Sequence, residues 1–94
     1  MQEHRRLFVD SRTRMPDTEK VVEKYLQTHL AYLTRLKEEG KLVMGGPFED
    51  GSGALNIFAV DSADEAIELC GNDPFVMHGR HRSTVRVLSV RFSQ

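Results

Sequence analysis

His29 is the residue whose type and position most invite chemistry. At about 100° per residue along a helix, it falls on the face that carries Val22, Tyr25, Leu26, Leu33 and Leu36, within the longest helical pattern of the chain. An imidazole there takes the place of an aliphatic, and burying it without a hydrogen-bond partner would cost about 1–3 kcal/mol. A partner is therefore expected elsewhere in the chain. A ring held at one nitrogen keeps the other for taking or giving a proton near neutral pH. The alternative is a buried histidine that only ties its helix to a neighbouring element.

Three other groups could serve such a site. Gly45-Gly46-Pro47 interrupts a strand pattern, and paired glycines mark either a bulge or a close approach to the backbone. In the second case their N–H groups would be available to a developing enolate oxygen. Tyr32, Phe48 and Phe75 are candidate pocket walls, or core. His78-Gly79-Arg80-His81-Arg82 is a basic segment in which Arg80 or Arg82 suits an anion clamp for a carboxylate or phosphate. Its alternative is a solvated turn. The His-x-x-His spacing within it lacks a third ligand, so no metal is expected. Cys70 has no basic neighbour and reads as core. Ser52 lies in a glycine loop and Ser62 at a helix cap, which leaves acid/base chemistry without a hydrolytic nucleophile.

The bulk composition narrows the class. Ninety-four residues suit a single domain over 1–94. Thirteen basic and fourteen acidic side chains leave a net charge of −1, which excludes the electrostatic footprint of a general nucleic-acid binder. One cysteine excludes an internal disulfide and a multi-cysteine zinc site. No apolar run reaches the ~20 residues of a membrane span, and the first residues lack the apolar core of a signal peptide. A soluble, cytoplasmic protein is expected.

The elements that must position these residues follow in order. Leu7, Phe8 and Val9 indicate a strand over residues 6–11. A loop over 11–16 ends at Pro16, and Asp17 or Thr18 is expected to cap the long helix, which runs to about Glu39 before Gly40 ends it. A strand over 41–48, a hairpin loop over 49–53 and a strand over 54–60 come next. Ser62-Ala63-Asp64-Glu65 is a capping box opening a helix that Gly71 ends. Asn72-Asp73-Pro74-Phe75 forms a turn, followed by one further turn and a last strand over 83–92. The order βαββαβ is the ferredoxin-like arrangement, an α+β fold with a four-stranded antiparallel sheet. Two helices cover one face of such a sheet, yet the third and fourth strands are apolar on parts of both faces. A homodimer packed sheet on sheet is predicted.

His29 to Leu33, Gly40-Lys41-Leu42-Val43, Gly45-Gly46-Pro47 with Asp50, Ser62 to Ala66, and Asn72-Asp73-Pro74-Phe75 followed by Gly79 together resemble the YciI-like (YCII-related) proteins over residues 20–90. The resemblance implies a dimeric α/β barrel with an active site built on a histidine and an aspartate. On this chain these are His29 and Asp73, with Asp50 as the other candidate aspartate. A carboxylate on one imidazole nitrogen fixes the tautomer and raises the ring's basicity, suiting proton abstraction beside a carbonyl, lactone isomerisation or elimination of a leaving group. The family includes a ring-cleavage-pathway dehydrochlorinase, and muconolactone isomerases share the barrel. The resulting expectation is a cofactor-independent isomerase or lyase acting on an anionic, carbonyl-bearing small molecule, with Gly45, Gly46, Pro47, Tyr32, Phe75, Arg80 and Arg82 as binding residues. The competing expectation is a non-catalytic ligand-binding or accessory module with a structural His/Asp pair.

Overall fold

The computed structural model describes residues 5–94; the reading of the first four residues lies outside them. Strands β1 (Arg5–Arg14), β2 (Leu42–Pro47), β3 (Gly53–Phe58) and β4 (His81–Val90) form one antiparallel sheet in the order β2-β3-β1-β4. Helices α1 (Glu19–Glu38), α2 (Ala63–Gly71) and α3 (Pro74–Met77) complete the α+β, ferredoxin-like fold. Among the described residues, no helix is long and apolar enough to cross a membrane.

Residues directly opposite in a ladder share a face. Phe8 lies between Phe58 and Val87, Asp10 between Asn56 and Val85, and Arg12 between Ala54 and Ser83. On this face Phe8, Leu42 and Phe58 meet Leu36 of α1 and Ala66 and Cys70 of α2 to form the core. The same face thus begins apolar at Phe8 and turns polar at Asp10 and Arg12. That gradient places the site at one end of the sheet.

The helix ends have local causes. Gly40 ends α1 with φ 78°, a left-handed conformation that costs glycine little. Ser62 Oγ accepts from Glu65 N at 3.1 Å to open α2. At the start of α1, however, neither expected side-chain cap forms. Asp17 takes φ 59°, and the Thr18 hydroxyl donates to Met15 O at 2.8 Å instead of accepting from the first turn.

Several strand boundaries also differ from expectation. The 11–16 loop is strand as far as Arg14, and β4 begins at His81, because Arg12, Thr13 and Arg14 pair with Ser83, Arg82 and His81. Their polar side chains mimic a loop in sequence. The strand is stable because Arg12 is neutralised where it is buried, as described below. At the other end β4 stops at Val90, and Phe92 is 95% exposed beyond it.

The opposite face of the sheet carries no helix among the described residues. Leu7, Val9, Leu55, Ile57, Leu88 and Met44 lie together on it by register. Met44 is 61% exposed and Leu88 43%.

Candidate active site

Asp73 is the residue from which the site is built. It immediately precedes Pro74, which favours extended backbone at Asp73, and it caps α3 by accepting from Phe75 N at 3.0 Å. The cap fixes the carboxylate under α1. His29 Nδ1 lies 2.8 Å from Asp73 Oδ1 and 2.9 Å from Oδ2, and Arg12 Nη1 donates to the same Oδ2. One buried carboxylate therefore holds a backbone amide, an imidazole and a guanidinium.

Burial works against ionised Asp73, but the bonds from His29 and Arg12 outweigh it and hold its pKa below the ordinary carboxylate value. An ionised carboxylate accepts only, so Nδ1 of His29 must carry a proton. In the neutral ring Nε2 is then unprotonated, and it makes no hydrogen bond among the described residues. His29 is 9% exposed, and its ring stacks on Phe75, with centroids 3.9 Å apart and planes 7° from parallel. His81 stands edge-on to both rings.

Arg12 is as tightly held as His29. Its Nε donates to Asp10 Oδ2 at 2.8 Å, and Asp10 accepts in turn from Asn56 Nδ2 and from the Ser83 hydroxyl. Burial lowers the guanidinium's pKa, but Asp10 and Asp73 more than offset this and raise it above the ordinary arginine value. The guanidinium stays charged. Asp10 and Asp73 are wholly buried and Arg12 is 3% exposed.

A cavity of about 530 Å³ opens over this floor, a volume suited to a small organic ligand. His29, Phe75, Arg80, Gly45, Gly46 and Pro47 line it. Arg12, Asn56 and His81, which were not foreseen as site residues, line it too. The lining includes Arg14, Lys37 and Arg80 besides Arg12, whose charge Asp10 and Asp73 already offset, and the first three favour an anion.

Four expected site residues belong elsewhere or act differently. Asp50 is exposed in the β2–β3 hairpin, where it accepts from Ser52 N at 2.9 Å; hydrogen bonds from Ser52 hold its pKa below the ordinary value. It does not reach His29, whose Nδ1 is occupied by Asp73. Tyr32 packs against the core and donates its hydroxyl to Leu69 O at 2.7 Å, so it walls no part of the cavity. Arg82 lies opposite Thr13, on the sheet face away from His29, and does not line the cavity. Gly45 serves a neighbour: a Cβ there would lie 2.0 Å from Asn56 Oδ1, so glycine admits the side chain that holds Asp10. Gly46 has open space beside it. Gly45→Ala should therefore push Asn56 off Asp10 and cost about 1–3 kcal/mol, read as a lower urea midpoint; an unchanged midpoint would mean Asn56 is not confined.

Sequence did carry signals for the missed residues. Phe8, Asp10 and Arg12 alternate, which puts them on one face if the strand is extended to Arg14. Asn56 is the one polar interruption between Ala54 and Phe58 on its face.

His81 gives the site a distinct acid response. Burial first, then the nearby charges of Arg12 and His29, push its pKa from 6.5 to about 4. As pH falls from 6.5 towards 4, the unfolded chain takes up a proton that the folded chain refuses, so stability falls across this window and not above it. Asp73 adds its own loss only below its unfolded value near 3.8. Urea midpoints at pH 7 and pH 5 should differ less in His81→Gln than in the parent; equal differences would mean His81 is readily protonated in the folded state.

Comparison with known proteins gives the family of the chain and its fold. Residues 7–89 match the YCII-related domain. The chain belongs to the YCII-related family. An uncharacterized protein of Bacillus subtilis (strain 168), YjpA, is 36% identical to this family member over 69 residues, which cover 73% of this chain and 81% of YjpA. Among solved structures, 5-chloro-2-hydroxyhydroquinone dehydrochlorinase (TftG) from Burkholderia phenoliruptrix AC1100, in complex with 2,5-dihydroxybenzoquinone, has a TM-score of 0.72 and 30% identity, with 93% of each chain covered. TftG is thus a dehydrochlorinase with the same fold.

Proposed function

We propose that this chain is a small-molecule enzyme in which His29 is the general acid/base and Asp73 orients it, acting on an anionic, carbonyl-bearing ring or enol by elimination or isomerisation. The observation that carries the reading is the bond from His29 Nδ1 to an ionised, fully buried carboxylate, which leaves Nε2 as the base beside a cationic cavity. No cofactor is needed for this chemistry. Loss of HCl from a chlorinated hydroxyhydroquinone removes one proton and one chloride, which leaves with the C–Cl bonding pair. The ring becomes a quinone without an external oxidant. His29 suits the proton transfers, and Arg80 with the other cavity cations suits the anion.

A second reading has its own observation. Asp73 caps α3 and bridges to Arg12, so the pair would be retained in a non-catalytic ligand-binding module for structural reasons alone. The readings part in an assay with 5-chloro-2-hydroxyhydroquinone, the substrate named for TftG, under anaerobic conditions with a chloride electrode. Chloride release accelerated by the protein, and lowered by a factor on the order of 10² or more in His29→Ala, supports the enzyme. Tight binding of 2,5-dihydroxybenzoquinone without chloride release at any pH supports the module.

The proposal includes a cytoplasmic homodimer closed through the uncovered sheet face. Met44 and Leu88, 61% and 43% exposed, with the half-buried Val9, Leu55 and Ile57 beside them, supply the kind of apolar surface that a partner sheet would cover. Light scattering should give twice the chain mass, and Ile57→Glu should halve it. A monomer at micromolar concentration would overturn the dimer.

A further inference from the structure

Three buried nitrogens have no hydrogen-bond partner among the described residues: Arg12 Nη2, Arg80 Nε and His81 Nδ1. All three belong to residues that line the 530 Å³ cavity. A buried, unpaired polar atom is costly; the two arginine nitrogens can only donate and mark places that a ligand's acceptors would complete, while His81 Nδ1 donates or accepts according to its tautomer. Arg12 is the most informative because its other contacts are fixed.

We infer that Arg12 Nη2 is the binding point for a single oxyanion of the ligand, of phenolate or enolate type, and that it holds this oxygen while His29 moves a proton elsewhere on the same molecule. The inference rests on the proposed acid/base role of His29 and deepens it. Nε of Arg12 is committed to Asp10 and Nη1 to Asp73. One terminal nitrogen remains. A carboxylate prefers two parallel donors from a guanidinium, and with Nε and Nη1 each bonded to a different carboxylate no pair of uncommitted nitrogens remains. A lone oxygen fits what is left.

The shared carboxylate also sets the spacing. Asp73 Oδ2 contacts both His29 Nδ1, at 2.9 Å, and Arg12 Nη1, so base and donor are mounted on one atom. An oxygen at Nη2 and a carbon or hydroxyl at His29 Nε2 would then lie within one small conjugated molecule. Two carboxylates already face Arg12, so it contributes a fixed, preorganised donor rather than uncompensated charge. The attraction for the anion comes from Arg14, Lys37 and Arg80 around the cavity. Asn56 and Ser83 hold Asp10 and thereby fix the guanidinium. His81, neutral near pH 7 because burial holds its pKa at about 4, adds no competing charge beside the oxygen.

The probe is 4-nitrocatechol, whose visible spectrum separates the phenol from the phenolate. Added to the unmutated protein, it should bind as the phenolate and move the side-chain ¹⁵N and ¹H resonances of Arg12. Because this arm needs no substitution, it stands even if Arg12 variants fold poorly. Arg12→Lys keeps one positive charge between Asp10 and Asp73 but lacks the third nitrogen, and it should bind the phenolate about ten- to a hundredfold more weakly. His29→Ala should retain phenolate binding while losing turnover. Arg12 resonances unmoved at saturation, undiminished affinity in Arg12→Lys, or no binding by the parent protein would each overturn the inference. Undiminished turnover in His29→Ala would instead overturn the acid/base reading and leave the Arg12 subsite to be judged by the probe alone.

Discussion

His29→Ala should lower turnover in the elimination assay by about 10²–10⁴, the range for loss of a positioned general acid/base, while the fold survives. The fold should survive because Asp73 keeps its bonds from Phe75 N and Arg12 when the imidazole is gone. What is lost in packing is one ring stacked on Phe75. The rate effect is large because no other described residue offers an unprotonated nitrogen so held: His81 has no hydrogen bond to Nδ1, and Cys70 is a buried thiol whose pKa burial pushes up to about 12. KM should change less than kcat, since the anion is held by the arginines. Circular dichroism and steady-state kinetics on the same sample read both halves of the prediction. A rate within threefold of the parent would exclude His29 as the base.

Asp73→Ala should produce the largest loss of stability of any single substitution in the site. Removing one partner from a buried ion network costs about 3–5 kcal/mol, in this case because donors of Arg12 and His29 stay buried without their acceptor. Here Arg12 would face Asp10 alone, His29 would lose its acceptor, and α3 would lose its cap. Small domains are stable by only about 5–15 kcal/mol, so a large share of the total is at stake. Asp73→Asn should lose less, because its side-chain oxygen can still cap Phe75 N. It cannot ionise, however, and its turnover should fall with that of His29→Ala. Urea unfolding at pH 7 measures the difference; a loss under 1 kcal/mol in Asp73→Ala would mean the network is not a buried ion cluster.

The parts of the fold that follow local rules were legible from the chain. Ser62 three residues before Glu65, Gly40 at the end of the long helix and Asp73-Pro74 at a turn each act within a few residues of themselves. His29 stood out because periodicity exposes a polar residue on an apolar face. The YCII-related resemblance, borne out by the match over residues 7–89, supplied the carboxylate types. Choosing Asp73 over Asp50 needed three dimensions, since the bond to His29 spans 44 positions. Arg12 was hidden for a different reason. Its contact with Asp73 spans 61 positions, and a strand end written Ser-Arg-Thr-Arg has the composition of a loop. Only the pairing with β4 and the two buried carboxylates make it strand. Arg80 and Arg82 are equivalent as members of a basic segment, but the alternation of a strand that starts at His81 sends Arg82 to the far face.

The proposed function depends on which nitrogen of His29 carries the proton. A ¹⁵N-resolved long-range correlation spectrum of the unmutated protein, recorded where the ring is neutral, reads this directly from the two ring nitrogens. The Nδ1–H form, with Nε2 unprotonated, is expected, together with loss of that tautomeric preference in Asp73→Asn. An Nε2–H ring, or a spectrum indifferent to Asp73→Asn, would contradict the proposed function.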